Sequence, residues 1–367
     1  VIRADIRRDK EGEMTMNSDL ADRFRPVAPP QVLDRVYSED QYNRLIGVVR
    51  DHGPWPMILA HHFKTPEEVV ATSSGEVPEG VTLTWDPFLS PVFRGYLARG
   101  GVCLYPEIED CYHNPDFLAK VRAYYGAQYA QPESMLFNIS GPCGGGGSPH
   151  VDGTRFRGLD LDSSPVWLLN IMAKSGLFRR WQAKKAQVIA WYYRGRIGGS
   201  FTYWPDGPHN PPQQLKAPMW GRAVVVENEM MYHTAEMNGP SALRRPEGLA
   251  YDSRIAANPA GAGWEISTGE RVIQQVPEEE TRFLVHWGAQ LFRDYAELKV
   301  SLDHTDDLSV DRAFEMLIAD LRARGETFEA PTDPANDRAF IRLLTRVYDL
   351  GKPSIFPPDP VEDMLAA

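Results

Sequence analysis

Cysteine is scarce in this chain. Cys103, Cys111 and Cys143 are the only three in 367 residues, and no two have the C-x-x-C spacing of a zinc or dithiol site. An odd, scattered set argues against a disulfide framework and fits a reducing, cytoplasmic setting. Basic blocks are missing too. With 39 Lys and Arg against 50 Asp and Glu the formal charge is -11, which speaks against nucleic acid or an anionic membrane surface as partner. No apolar run approaches the roughly 20 residues of a membrane-spanning helix, and Val1-Ile2-Arg3-Ala4-Asp5 lacks the basic-then-apolar order of a secretion signal. What remains is a globular composition, 43% hydrophobic with nine Trp, ample for a substantial core.

Patterning divides the chain into three stretches. Over residues 1–130 the clearest element is a helix from about 39 to 52, where Ser38-Glu39-Asp40-Gln41 has capping-box spacing and Tyr42, Leu45, Ile46 and Val49 follow at helical intervals. Residues 53–114, rich in Pro, Gly and isolated aromatics, read as long loops and short elements that cover a site. Phe117, Val121 and Tyr124 suit a second helix ending near Gly126. Over 131–287, short segments of β-branched and aromatic residues recur between turn signals, at about 134–140, 166–173, 186–193, 222–228, 230–236 and 249–257, and predict a mainly β core. From 288 to 367 the period turns helical, with stripes at Phe314, Leu317, Ile318, Leu321 and at Phe340, Leu343, Leu344, Val347. These helices would buttress the core or form a homodimer surface.

Chemistry concentrates in the middle stretch. His150 and Asp152 stand two residues apart after the glycine run Gly144-Gly145-Gly146-Gly147, and His233 follows far downstream in Met231-Tyr232-His233-Thr234. On an extended segment side chains i and i+2 share a face, so one imidazole and one carboxylate can grip one ion, and a histidine from a neighbouring strand completes the set. Two histidines and one carboxylate on one face of an octahedron leave three adjacent positions open, as non-haem Fe(II) oxygenases require. A buried carboxylate also needs a partner, which a divalent ion supplies.

The order His150-x-Asp152, then Gly199-Ser200-Phe201-Thr202-Tyr203-Trp204-Pro205, then Gly221-Arg222-Ala223-Val224-Val225-Val226, then His233 and a later arginine resembles the Fe(II)/2-oxoglutarate-dependent oxygenases over about residues 134–257. The resemblance implies a double-stranded β-helix, or jelly roll, as core, with helices before and after it. It implies His150, Asp152 and His233 as iron ligands, 2-oxoglutarate and O2 as cosubstrates, and an arginine on a late strand holding the far carboxylate of 2-oxoglutarate. Because Asp152 stands where related halogenases carry a small residue, it implies hydroxylation or another C–H oxidation, with release of succinate and CO2.

Three arginines compete for the cosubstrate. Arg254 lies in Leu249-Ala250-Tyr251-Asp252-Ser253-Arg254-Ile255, which reads as a strand, whereas Arg245 and Arg244 precede Pro246-Glu247-Gly248 and read as loop. Arg254 is therefore preferred, since its planar fork suits a carboxylate and a strand would need one nearby. Thr202, Tyr203 and Asn170 are further candidates for cosubstrate contact, although packing explains them equally well. Arg155 and Arg157 read as solvated loop charges. The expected partner is a small organic molecule whose identity the sequence does not fix. Two other readings fit the same residues: a cupin-like metal enzyme that does not use 2-oxoglutarate, and a non-catalytic jelly-roll binding protein.

Overall fold

The computed structural model describes residues 24–73, 80–145, 147–351 and 353–357. Residues 1–23 of the expected N-terminal region lie outside the described residues. Among the described residues no helix is long and apolar enough to cross a membrane.

The first strands are β1 (Gln31–Asp34), β2 (Trp55–Pro56), β3 (Val92–Arg99), β4 (Val102–Cys103) and β5 (Tyr129–Ser140). They are followed by β6 (Lys184–Tyr192), β7 (Phe201–Trp204), β8 (Gln213–Leu215), β9 (Arg222–Val226) and β10 (Tyr232–Ala235). The last are β11 (Arg254–Ala257), β12 (Trp264–Thr268), β13 (Arg271–Val276) and β14 (Arg282–Phe292). A long antiparallel sheet has the order β1-β9-β6-β14-β5-β3-β4, a short one β10-β7-β8, and a third β13-β12-β11-β2. From β5 onward the chain alternates between the long and short sheets: β6 is long, β7 and β8 short, β9 long, β10 short and β14 long. The expectation of a mainly β protein with flanking helices therefore describes what is found.

The central strands of the long sheet are covered on both faces, which is why they show no polar alternation. On β14, Phe283, Val285, Trp287 and Ala289 enter the main core, while Arg282, Leu284, His286 and Gly288 face an internal cavity. On β6 the same division puts Ala186, Val188 and Ala190 outward and Lys185, Gln187, Ile189 and Trp191 inward. The outer face is roofed by α1 (Glu39–Asp51) and α4 (Pro115–Tyr125), with α2 (Ile58–His62) and α3 (Pro66–Thr72) between them in sequence. Ser38 caps α1 reciprocally with Gln41, as its spacing predicts, and Leu45, Val48 and Val49 are buried. Gly126 ends α4 at φ 67°, a left-handed conformation that glycine adopts without a Cβ penalty.

Two expectations are corrected. The segment expected as a strand at 166–173 is a helix, α5 (Val166–Ser175), with all residues from Trp167 to Ser175 buried. A helix that is apolar all round has no periodic signature, so a short apolar run reads equally as a buried strand. The helical region begins later than 288, because β14 continues to Phe292. Beyond it come α6 (Tyr295–Leu302), α7 (Val310–Ala323) and α8 (Arg338–Tyr348). Phe314, Leu317 and Leu321 of α7 and Phe340 and Leu344 of α8 are buried with α5, Trp204 and Tyr232 in one cluster, so these apolar stripes are covered within the chain. That cluster also includes Val151, so the helices support the segment carrying His150 and Asp152 from behind. Residues 53–114, expected as loops and short elements, also supply the eight-residue β3.

Candidate metal centre and its cavity

Cys143 pairs antiparallel with Asn238 just beyond β10, and His150 pairs antiparallel with His233 at the edge of the short sheet. Cys143 and Asn238 exchange backbone bonds of 3.0 Å each way, and the Asp152 N–H donates to the Asn228 carbonyl at 3.1 Å. Gly145 is required here: at φ 100° it lies so close to β10 that a Cβ would stand 2.8 Å from the Ala235 carbonyl oxygen. Asn238 is fully buried and ties the loop further, donating to the Gly141 carbonyl and accepting from the Cys143 thiol, both at 3.0 Å.

His150 and His233 are directly opposed, His150 N–H donating to the His233 carbonyl at 3.1 Å and His233 N–H to the His150 carbonyl at 3.0 Å. Residues paired in this way carry their side chains on the same face. The two imidazoles accordingly lie side by side, centroids 4.7 Å apart. Asp152 lies two residues beyond His150, while Val151 between them is buried in the helical cluster. One ligand atom from each of His150, Asp152 and His233 lies within 4.8 Å of the others, and Asp152 Oδ1 is 3.5 Å from His233 Nε2. The other oxygen, Asp152 Oδ2, is buried without a hydrogen-bond partner.

Each ring is oriented from behind. His150 Nδ1 lies 3.0 Å from the Ser148 carbonyl and His233 Nδ1 3.0 Å from the Met231 carbonyl. A carbonyl only accepts, so each Nδ1 donates and each neutral ring presents its Nε2 lone pair to the cluster, the support found behind metal-bound histidines. Burial and the neighbouring His233 push His150 down to about 4. Burial alone would raise Asp152, but His233 outweighs it and holds the carboxyl well below its usual range. Burial alone would lower His233, yet Asp152 draws it upward. The ensemble is two imidazoles and a carboxylate around a common point, and its orphaned oxygen fits a divalent ion.

The triad opens onto a cavity of about 870 Å³ between the two sheets, large enough for a cosubstrate and a small second molecule. Arg282, at the start of β14, lies on its wall and is buried. Its Nε donates to the Gly199 carbonyl at 3.1 Å, whereas one terminal nitrogen, NH2, is buried with no partner. It makes no ion pair among the described residues, and burial lowers its affinity for the proton. His286 follows on the same face of β14 and is pushed by burial to about 4. At the other end Lys185 bridges Glu133 and Glu229 at 3.2 Å each, and Arg155 pairs with Glu133 at 2.7 Å and with Asp160 at 3.1 Å.

The remaining candidate residues fall in several places. Arg254 is exposed on β11 in the third sheet and does not line the cavity. Arg244 and Arg245 do line it, Arg244 Nε donating to the Gly239 carbonyl at 3.0 Å and Arg245 to the Asp86 carbonyl at 3.0 Å. Thr202, fully buried, donates to Glu236, and Tyr203 packs with Phe201 in the apolar filling between the sheets; neither lines the cavity. Asn170 stands behind the site, donating to the Val151 carbonyl at 3.2 Å, and so steadies the His150–Asp152 segment. Arg155 is paired on the cavity wall, and Arg157 pairs with Asp306 at 2.6 Å away from it. Sequence reasoning missed Arg282, His286 and Arg94, all of which line the cavity.

No protein-family model matches the chain. No curated protein matches it in sequence. Among solved structures, it is similar to an oxidoreductase of the 2OG-Fe(II) oxygenase family from Burkholderia pseudomallei, at 13% identity and TM-score 0.34 over 79% of this chain and 99% of that one. It is similar to HygX from Streptomyces hygroscopicus with nickel and 2-oxoglutarate bound, at 9% identity and TM-score 0.35 over 72% and 83%. It is also similar to SnoK, a non-haem α-ketoglutarate-dependent carbocyclase from nogalamycin biosynthesis, at 11% identity and TM-score 0.38 over 81% and 94%.

Proposed function

We propose that this chain is an Fe(II)/2-oxoglutarate-dependent oxygenase acting on a small organic molecule. The observation that carries the reading is the convergence of His150, Asp152 and His233 on one point at the wall of a large cavity, with both Nδ1 atoms tied to carbonyls and one carboxylate oxygen orphaned. The alternation of strands between the long and short sheets supports a double-stranded β-helix as the core.

In this reading His150, Asp152 and His233 hold the iron through two Nε2 atoms and a carboxylate oxygen. Bound iron with 2-oxoglutarate and O2 supplies the oxidation of a substrate C–H bond, with succinate and CO2 released. The work of the protein is orientation and dryness. The role expected of Arg254 falls to Arg282, a buried cation of the cavity lining with one terminal nitrogen lacking a protein partner, which suits the distal carboxylate of 2-oxoglutarate. Trp191, Phe201 and Leu284 add apolar surface to the same cavity wall. His286, held by burial at about 4, adds a neutral ring to the wall. Asn170 holds the backbone between two ligands and acts on their geometry.

The test is aerobic turnover of 2-oxoglutarate by metal-free protein reconstituted with Fe(II). Succinate should form only when Fe(II) and 2-oxoglutarate are both present, and protein with Asp152→Ala should form none. Tight Fe(II) binding without any succinate or 2-oxoglutarate binding would contradict the reading and favour a cupin-like metal site.

A further inference from the structure

The cavity contains a second internal guanidinium, and the cosubstrate does not account for it. Arg94 lies on β3 with its side chain on the cavity wall. Its Nε donates to Asn138 Oδ1 at 2.7 Å, and NH1 lies 2.7 Å from His62 Nε2. Both partners are neutral: the Arg94 cation and burial hold His62 well below its ordinary pKa, burial being the larger cause. Arg94 makes no ion pair among the described residues, unlike Arg155 and Lys185 on the same cavity, which are each held by two carboxylates. Burial lowers Arg94's hold on the proton and the Asp152 carboxylate favours it only at a distance, so a guanidinium bonded directly to an amide and an imidazole alone forfeits several kcal/mol of solvation unless an anion joins it.

Strand register separates this cation from the other one. Arg94 is opposite Asn138 on β5, whereas Arg282 is opposite Ser140 on β5 from the other side. At the usual spacing of strands and residues, the two backbones are about 10 Å apart across the sheet and about 7 Å along it. If one end of 2-oxoglutarate is held at the metal and the other at Arg282, Arg94 still faces the cavity with donors to spare. Leu59, Phe63 and Leu136 line the cavity as well and offer an apolar surface.

We infer that the substrate is a small organic acid, whose carboxylate pairs with Arg94 while its apolar body lies along Leu59, Phe63 and Leu136. This rests on the oxygenase reading of the same site. One guanidinium balances one negative charge, and with Nε and part of NH1 engaged its free edge matches the two oxygens of a carboxylate. Asn138 and His62 fix the fork in place and so act as positioning residues.

The experiment loads the full chain with Mn(II) and 2-oxoglutarate and measures binding of phenylacetate and hexanoate against phenylacetamide and hexanamide by calorimetry. At least one acid should bind about thirtyfold more tightly than its amide. Arg94→Gln should erase that preference while 2-oxoglutarate affinity stays within about threefold, and Arg94→Lys should restore part of it. An acid that binds no better than its amide in the wild type, whether both bind or neither does, overturns the inference. So does a preference that survives in Arg94→Gln, or a loss of 2-oxoglutarate affinity there, which would make Arg94 a cosubstrate group. Failure of the wild type to take up Mn(II) and 2-oxoglutarate at all would instead overturn the oxygenase reading, and this inference with it.

Discussion

Replacing Arg282 by methionine removes a cation and keeps most of the side-chain volume, and the structure sets opposite expectations for binding and for stability. If the guanidinium pairs with the distal carboxylate of 2-oxoglutarate, its removal leaves that carboxylate buried without a partner. Truncating one side of a buried, hydrogen-bonded charge pair costs about 2–5 kcal/mol. Taking about 3 kcal/mol, the Kd for 2-oxoglutarate should rise roughly a hundredfold. The metal-free, cosubstrate-free protein should hardly suffer. It loses the 3.1 Å bond from Nε to the Gly199 carbonyl, worth about 1 kcal/mol, and is relieved of a buried cation whose NH2 has no partner. Its unfolding free energy should therefore stay within about 1 kcal/mol of wild type, or rise. Anaerobic titration of the Fe(II) protein, followed by the charge-transfer absorption of the bound keto acid, gives the affinity; urea unfolding gives the stability. Arg282→Lys should fall between, keeping the charge and losing the fork. A 2-oxoglutarate affinity within twofold of wild type in Arg282→Met, with Fe(II) binding intact, would refute the assignment.

Three further outcomes are expected. Asp152→Ala should weaken Fe(II) binding by more than the roughly hundredfold that loss of a supporting hydrogen bond costs, measured by calorimetry under anaerobic conditions. Glu227 is buried, accepts from Val27 N–H at 2.7 Å and Tyr125 O–H at 2.6 Å, and is pushed by burial up to about 7. The folded state therefore holds a proton that the unfolded chain releases near 4.5, and this group's contribution to stability falls as pH rises from about 4.5 to 7, by roughly 2–3 kcal/mol in total. Glu227→Gln should remove that part of the slope, and equal slopes for wild type and variant in urea melts between pH 5 and 7.5 would count against it. Gly95→Ala places a Cβ 2.5 Å from the Trp55 ring and 2.7 Å from Phe137, so it should cost about 1–3 kcal/mol by overpacking; an unchanged denaturation midpoint would show that Trp55 moves aside freely.

The sequence was most readable where one local rule acts alone. The capping box at Ser38 and Gln41 marks α1, and Gly126 marks the end of α4, because each depends on residues within one turn. The closeness of His150 and Asp152 follows from a spacing of two on an extended segment, which requires only local geometry. Longer-range features were hidden. The strand Arg282–Phe292 is covered on both faces, so its apolar run lacks alternation and its single arginine looks like a surface charge. It is also separated from His233 by the whole of β11, β12 and β13, so a search close behind the distal histidine stops at Arg244, Arg245 and Arg254. Arg94 shares that difficulty: only the pairing of β3 with β5 brings it to the cavity, and nothing local to Val92–Arg99 announces that pairing. Val166–Ser175 shows the converse, a helix buried on every side whose composition resembles a strand.

The claim on which function depends is that three side chains from two neighbouring segments hold one metal ion with positions left open. Crystals of the protein grown with Mn(II) and 2-oxoglutarate, with the ion located by anomalous scattering, test it most directly. The account predicts one ion within about 2.0–2.3 Å of His150 Nε2, His233 Nε2 and an Asp152 carboxylate oxygen, with the keto acid on the open side and its far carboxylate on Arg282. An ion bound elsewhere, or the two imidazoles turned away from a common point with no ion between them, would contradict it.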